Sequence, residues 1–564
     1  MFPSFRLSMT WLHTWFGLVL GYVLMVAFFF GSLSVFDREI DRWALPETRF
    51  PAQVMPSYDN MLAGIFTQMK ADAHEVDEAR QRIGKAPEVS STAMNWGAYT
   101  THRDPVLLMF SEYAVTNNPN DPDDHVHGRV TIDPRSGKAL PEGQLKLGSE
   151  FFYPMHYSLH LHWRDLGYWV VGIAALVMLA ALVSGVVMHR KVFREFFTFR
   201  PKKHAQRSAL DLHNLTGVVA LPFHFIFALT GLLIFIGIYF PVSETMLKPQ
   251  ALAAAQAEAE AKGLPFKPAG TPAALASVDA MVLEAKRRWE ARGMPGEVGF
   301  LTVNHIGDAN SYVSIYRAGS DRVALVGQAV HFSGPTGRVI HEEPAPSAVK
   351  SVNEFLTGLH LQHFRHWLLR WFYVLGGLLG CVCIATGFVF FVEKRKRQHA
   401  KQGISGARWA DAMAVTTVTG MLIATFAILV ANRLLPVGLA HRGDWEEGVF
   451  WGAWVLALVH AAWRSKAVQQ GLLSPAWREQ CWAAAALAVA AVLLNWLTTG
   501  DHLLKTLGEG YWPVAGVDLC LLASAALAVV AARRLRARER AAATLAAGSL
   551  RPLDLAPAAE AAGA

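Results

Sequence analysis

The stretch Ala209–Phe240, ALDLHNLTGVVALPFHFIFALTGLLIFIGIYF, carries two histidines, His213 and His224. It is long and apolar enough to cross a bilayer, for which about 20 apolar residues suffice. At about 100° per residue the two positions close three turns plus about 20°, so both imidazoles share one helix face, about 16 Å apart along the axis. Ionisable side chains at membrane depth are costly and tend to mark function. Neutral imidazole is a common axial ligand of iron, and a b-type haem takes two such nitrogens from opposite sides with no covalent attachment. No C-x-x-C-H occurs, which excludes c-type attachment. Against this stands the plainer reading of each histidine as a hydrogen-bonding partner of a neighbouring helix, the more so for His213 at an interface.

A twin lowers the weight of the plain reading. Leu12–Phe36 reads LHTWFGLVLGYVLMVAFFFGSLSVF, and His13, Gly17 and Gly31 match His213, Gly217 and Gly231 at an offset of 200. Ser136-Gly137-Lys138 is echoed by Thr336-Gly337-Arg338, and Leu159-His160-Leu161 by Leu359-His360-Leu361. Ser184-Gly185 and Thr386-Gly387 agree after a two-residue slip. Shared landmarks in one order at one spacing signal a duplication. The first 400 residues are therefore two copies of span, polar module, span. A pseudo-two-fold axis would bring equivalent histidines towards each other.

The elements that must position them follow from hydropathy and turn signals. The chain has 564 residues, 52% of them hydrophobic, a net charge of +7 and a mean hydropathy of +0.25, as expected of a polytopic membrane protein with sizeable soluble insertions. Spans are expected near 11–36, 167–189, 209–240 and 368–392, then outside the duplication near 411–431, 448–463, 480–498 and 513–532. Arg6 is the sole basic residue before the first span, whose apolar run is too long for a cleaved signal and reads as a retained anchor. In the first polar module Tyr58–Ile83 is expected as a helix, with strands at Ala93–Thr101, Val106–Val115 and Arg129–Asp133 and a turn at Asp133–Lys138. The second repeats that order: helix 272–292, strands near 297–304, 310–317 and 323–332, and the Gly337 turn, after a helical connector at Ala251–Gly263.

The fold class is thus a polytopic α-helical membrane protein of about eight transmembrane helices, the first four a tandem duplication, with two small α+β (αβββ) modules. The chain divides into 1–36, a first module 37–150, an interfacial segment with its span 151–189, a basic loop 190–208, and span 209–240. There follow a second module 241–358, an interfacial segment with its span 359–392, a basic loop 393–410, a four-helix extension 411–532 and a tail 533–564 that reads as disordered beyond Arg540. Basic residues cluster at Arg190–Arg207, Lys394–Arg408, Arg464–Arg478 and Arg533–Arg540. The positive-inside bias places all four clusters on the cytoplasmic side only with eight spans and both termini cytoplasmic, so the modules are extracytoplasmic. That topology accounts for the basic clusters, and no nucleic-acid partner is inferred. Cys381, Cys383, Cys481 and Cys520 all fall inside apolar spans and read as buried small residues.

His13 and His213, at equal depth and related by the repeat, would clamp one haem; His160 and His360, before the second and fourth spans, would clamp another. A straight helix would put His160 about 45 Å from Arg190, outside the hydrocarbon core. Either Arg164–Gly167 breaks the helix and lets 151–163 lie in the interface, or His224 supplies one ligand of the second haem. His156, His162, His363 and His366 read as water-facing and His189 as headgroup-facing. His460 and His502 lie outside the duplication. A zinc site at the outer cluster lacks a carboxylate or thiolate at ligand spacing. Gly17, Gly217, Gly31 and Gly231 would let a flat macrocycle or a neighbouring helix approach closely.

The L-H-x3-G…[ST]-G pattern of spans 1 and 3, the L-H before spans 2 and 4, and the paired modules ending in turns such as Asp133–Lys138 resemble the PepSY-associated transmembrane family. FFYPMHYSLHLHW, FTFRPKK and LDLHNLTGVVALPFHFIFALTG resemble a longer subfamily with extra C-terminal spans. The resemblance covers about residues 5–400. It implies PepSY-like modules and a ferric-siderophore reductase: a di-haem (haem b) conduit passing electrons outward to a ferric chelate during iron uptake. The family's histidines map onto His13, His160, His213 and His360. The second module departs from the pattern, with Ser333-Gly334-Pro335 where the turn has Asp-Pro. Reduction of Fe(III) loosens its hold on hard oxygen donors. No G-x-G-x-x-G follows a predicted strand, so no NAD or FAD site is evident and the donor is a quinol or another protein. Two rival classes remain: a non-redox binding or regulatory protein whose modules hold a periplasmic partner, and a transporter built on the repeat. No acidic residue lies mid-span in the duplicated unit, which argues against a carrier.

Overall fold

The computed structural model describes residues 4–549 apart from 52–56, 61–68, 100–105, 120–123, 141–144, 190–199, 201–204, 241–246, 326 and 466–471. The basic residues expected between 190 and 204, other than Arg200, lie outside the described residues, as do Lys466 and the tail beyond 549.

Among the described residues five helices are long and apolar enough to cross a membrane: Trp163–Met188, Trp367–Lys396, Gly406–Leu434, Pro475–Thr499 and Trp512–Thr544. Two more spans form if each bent pair counts as one, Phe5–Val19 with Gly21–Ser34 (59°) and Ala205–Val219 with Leu221–Ile234 (64°). The bends fall at Leu20 and Ala220, again 200 residues apart. Pro222 explains the second, because it has no N–H for the Val218 carbonyl and its ring crowds that turn. The first has Gly21 just past the break, where an added Cβ would lie 3.0 Å from the Phe388 ring. The remaining span expected near 448–463 is the core of helix Arg442–Arg464. Asp444 and Glu446 in its opening turns shorten its apolar run, while its 23 residues at 1.5 Å each still reach about 34 Å. The chain is a multi-pass, mostly helical membrane protein.

The polar modules differ from expectation in one respect. Each supplies four strands, not three: β1 Asn95–Tyr99, β2 Leu107–Ala114, β3 His125–Asp133 and β4 Lys138–Ala139, then β5 Val298–Asn304, β6 Tyr312–Arg317, β7 Ala329–Ser333 and β8 Val339–Glu342. All eight form a single sheet in the order β4-β3-β2-β1-β5-β6-β7-β8. The two copies meet at β1 and β5, their first strands, with Trp96 opposite Val303 and Tyr99 opposite Phe300. Each copy would otherwise leave that edge unpaired, and mutual pairing removes both exposed edges. Helix Val278–Ala291 covers one face, packing Met281, Ala285 and Trp289 against Leu301, Ile315 and Phe332. The two turns match: Gly137 and Gly337 have φ of +67° and +66°, where a side chain would be strained. Of the helix expected at Tyr58–Ile83, residues 61–68 are outside the description, Met69–Asp72 are not helical, and Ala73–Ile83 is a helix.

The C-terminal helices are latched to the first repeat through the short helix Asp37–Ala44 and the residues after it. Trp43 is fully buried and donates to the Asp518 carboxylate at 2.8 Å. Arg49 donates to Asp501 (2.8 Å), Asn495 (2.7 Å) and Thr499 (3.0 Å). The last helix, Trp512–Ser549, continues past Arg540, where the sequence reading expects disorder.

Candidate functional site

His13 and His213 lie on the halves of the bent pairs farther from the sheet in the chain, and face each other with ring centres 6.1 Å apart and planes at 85°. Each ring is held from behind by the other span of its own copy. His13 Nδ1 is 3.0 Å from the Ala181 carbonyl, and His213 Nδ1 is 2.8 Å from that of Cys383. A carbonyl only accepts, so Nδ1 carries the proton and the lone pair resides on Nε2. The Ser-Gly and Thr-Gly landmarks make room for these rings. A Cβ at Gly185 would lie 3.4 Å from His13 Cε1, and one at Gly387 would lie 3.4 Å from His213 Cε1.

Both rings line a cavity of about 710 Å³, within the ~300–1,000 Å³ range of compact-ligand sites. Gly17, Gly217, Leu18 and Phe388 add apolar wall, His189 lies on it, and Arg6, Lys394 and Arg395 bring positive charge to it.

The second pair is not the one the repeat offset picks. His360 faces His156, with ring centres 5.9 Å apart and planes at 30°. His156 Nδ1 donates to the Ala27 carbonyl at 2.8 Å. His360 Nδ1 is 2.9 Å from Thr230 Oγ1, which gives its own proton to the Ile226 carbonyl and therefore accepts from the ring. The glycines again give way: a Cβ at Gly31 would be 2.7 Å from His156 Nδ1, and one at Gly231 would be 3.0 Å from His360 Cε1. This pair lines a smaller cavity, about 150 Å³, which shares Leu24, Phe28 and Met178 with the larger one.

His160, expected opposite His360, is a correction. The helix Tyr153–Tyr157 stops short, and Leu159 and His160 both take left-handed backbone (φ +53°). That turn folds the imidazole back onto its own segment, with Nε2 2.9 Å from the Phe151 carbonyl and the ring stacked 4.7 Å from Phe151. Arg164 and Asp165 are also left-handed, so the chain does break before the second span, but the break starts earlier than expected. His156, read from sequence as water-facing, is half-buried in the protein.

His224 is buried between the two pairs, with Nε2 3.2 Å from the Gly376 carbonyl and its ring edge-on to Phe28. Its Nε2 is thereby engaged, and the equivalent position in the first copy is Leu24. His162, His363 and His366 are exposed. His460 contacts Glu479 at 3.1 Å, and His502 caps helix Leu503–Gly508. All four cysteines are free thiols, and Cys383 serves the His213 ring chiefly through its carbonyl.

Two metal–nitrogen bonds of about 2.0 Å, plus ~1.1 Å from each nitrogen to its ring centre, put two axial imidazoles about 6 Å apart. The ring centres of both pairs, 6.1 Å and 5.9 Å apart, are close to that spacing.

A duplicated pair of membrane helices, histidines facing across the duplication axis and a sheet shared by the two copies define the class of this protein. The chain belongs to the PepSY-associated TM region family, whose model matches residues 10–394. That match takes in both histidine pairs and stops before the C-terminal helices. The chain is also similar, at 25% identity over 380 residues, to an uncharacterised protein of Pseudomonas aeruginosa, an alignment spanning 64% of this chain and 88% of that one.

Proposed function

We propose that the protein is a haem-b electron conduit of the bacterial inner membrane that reduces a ferric siderophore or similar ferric chelate on the periplasmic side. In this reading the chain crosses eight times with both termini cytoplasmic, and the shared sheet is a pair of PepSY-like modules in the periplasm. The observation that carries the reading is the ring spacing, 6.1 Å and 5.9 Å, repeated at two levels of the same helix bundle. His13 and His213 would hold one haem, His156 and His360 the other. The cofactor supplies one-electron redox chemistry at its iron.

The chain's own residues do the rest. Ala181, Cys383 and Ala27 carbonyls and Thr230 engage Nδ1 of each ring and leave the lone pair on Nε2, and such outer-shell bonds also raise ligand basicity. Arg6, Lys394 and Arg395 offer cationic partners to a porphyrin's carboxylates. His224 and Phe28 pack edge-to-face on the wall of the larger cavity. The second cavity, at about 150 Å³, is below the ~300 Å³ of compact-ligand sites, so its filling requires the walls to part. Reduction to Fe(II) weakens binding by hard oxygen chelators and so releases the metal. The donor is a quinol or a protein.

The test is the absorption spectrum of the purified protein. A Soret band with dithionite-sensitive α and β bands is expected, and His213→Ala should remove about one haem per chain. A colourless, correctly folded preparation with haem supplied would overturn the proposal.

A further inference from the structure

A second set of donors sits on the sheet, outside the helix bundle. β2 and β3 run antiparallel with Glu112 directly opposite His127 and Ala114 opposite His125. Residues two apart on a strand share a face, so one face presents Glu112, His125 and His127 together. Their ligand atoms all lie within 4.8 Å of one another. The two histidine rings are edge-to-face at 5.1 Å, and His125 Nε2 is 3.3 Å from Glu112 Oε1.

The group has a supporting layer that a chance surface ion pair would not need. Glu75, from helix Ala73–Ile83, accepts from both the His127 amide (2.7 Å) and the His127 ring Nδ1 (2.9 Å). This carboxylate–imidazole bond leaves the lone pair on Nε2, the arrangement that orients histidines bound to metals. On the other ligand, Glu112 Oε2 accepts from the Asn95 amide at 2.8 Å, which turns Oε1 towards His125. By strand register the equivalent positions are Ala318, Leu325 and Gly327, so the second copy has no counterpart.

We propose that Glu112, His125 and His127 form a site for one divalent first-row transition cation of the Fe²⁺-to-Zn²⁺ series, with water completing the coordination. Two imidazoles and one carboxylate suit borderline cations. Calcium and magnesium take all-oxygen shells, and Cu(I) takes thiolate or thioether. Three protein ligands leave open positions, as an exchangeable site requires. The site stands independently of the haem reading, since its ligands belong to the sheet alone.

Zn²⁺ titration of the full-length detergent-solubilised protein, read by calorimetry, tests it, with Co²⁺ as a spectroscopic probe. The wild type should bind one more equivalent of Zn²⁺ than the His125→Ala/His127→Ala variant, and only the wild type should show the visible Co²⁺ bands of this site. Glu75→Gln, which touches no metal, should weaken Zn²⁺ about 10–100-fold. The single variant His125→Ala, at an exposed side chain, keeps the test decisive if the double variant does not fold. Equal stoichiometry and affinity in wild type and variants, or no difference between them up to about 1 mM Zn²⁺, overturns the site whether or not the protein carries haem.

Discussion

Alanine substitution of His156 and of His160 gives the sharpest test of the second pair, because the structure assigns opposite consequences to two histidines four residues apart. His160→Ala removes the bond to the Phe151 carbonyl, about 1 kcal/mol, and a stacked ring contact worth ~0.5–1.5 kcal/mol. It should therefore cost about 2 kcal/mol of stability and leave haem binding intact. His156→Ala removes one bond to the Ala27 carbonyl, about 1 kcal/mol. The ring occupies room that Gly31 leaves open, so the loss stays near that value. Its apoprotein should melt nearly as the wild type does, yet it should lack one ligand opposite His360 and hold about one haem fewer per chain. Haem would be counted as the pyridine haemochrome, and stability followed by thermal melting in detergent. If His160→Ala loses the haem while His156→Ala keeps it, the pairing drawn from the ring geometry is wrong.

Gly17 lines the larger cavity, and a Cβ there meets nothing within 4 Å; Gly17→Ala should be neutral, whereas Gly17→Phe should fill the cavity and exclude the His13–His213 haem, as the same count would show. Arg49 is a nearly buried hub for Asp501, Asn495 and Thr499. Arg49→Met, by breaking a buried pair, should cost about 3 kcal/mol and lower the melting temperature without changing haem content; an unchanged melt would show that the C-terminal helices are held elsewhere. In the sheet, burial holds His331 below its ordinary 6.5. Glu343 is pushed up by burial but held lower still by Lys262 and His331. Both groups bind fewer protons folded than unfolded, so stability is lost as the pH is lowered, first below about 6.5 for His331 and then through the carboxylate range. His331→Gln should abolish the first step of that decline in pH-dependent melting, and parallel curves for the two proteins would refute the assignment.

How far the sequence carried the site depends on which contacts set it. His13 and His213 sit in continuous helices of equal register, so an offset of 200 is enough to align them, and the paired bends at Leu20 and Ala220 keep that alignment through the span. The same offset fails for the second pair. Its true partners, His156 and His360, are 204 residues apart, between landmarks offset by 200 at Ser136 and by 202 at Ser184. The extra length in the second copy belongs to helix Ala348–Leu361, which carries His360 in regular geometry. In the first copy the equivalent approach is a π-helical turn at Leu147–Phe152 followed by the short helix bearing His156. The Leu-His-Leu match at 159–161 therefore compares a helix end with two left-handed residues, and similarity of letters does not carry similarity of direction. The slip at Ser184 was visible, and it signalled that the register had changed somewhere before it. Composition could not say where, because the change is absorbed by the π-helical turn, the short helix that Pro154 opens and the left-handed residues after it. The joined sheet was hidden for a related reason: β1 and β5 each alternate as ordinary strands, and their pairing rests on the two copies meeting about a shared axis. Such long-range pairing leaves no local mark in the residues that make it. The histidines that face each other are thus set by the symmetry of the bundle first, and by sequence spacing only where both copies keep the same backbone path.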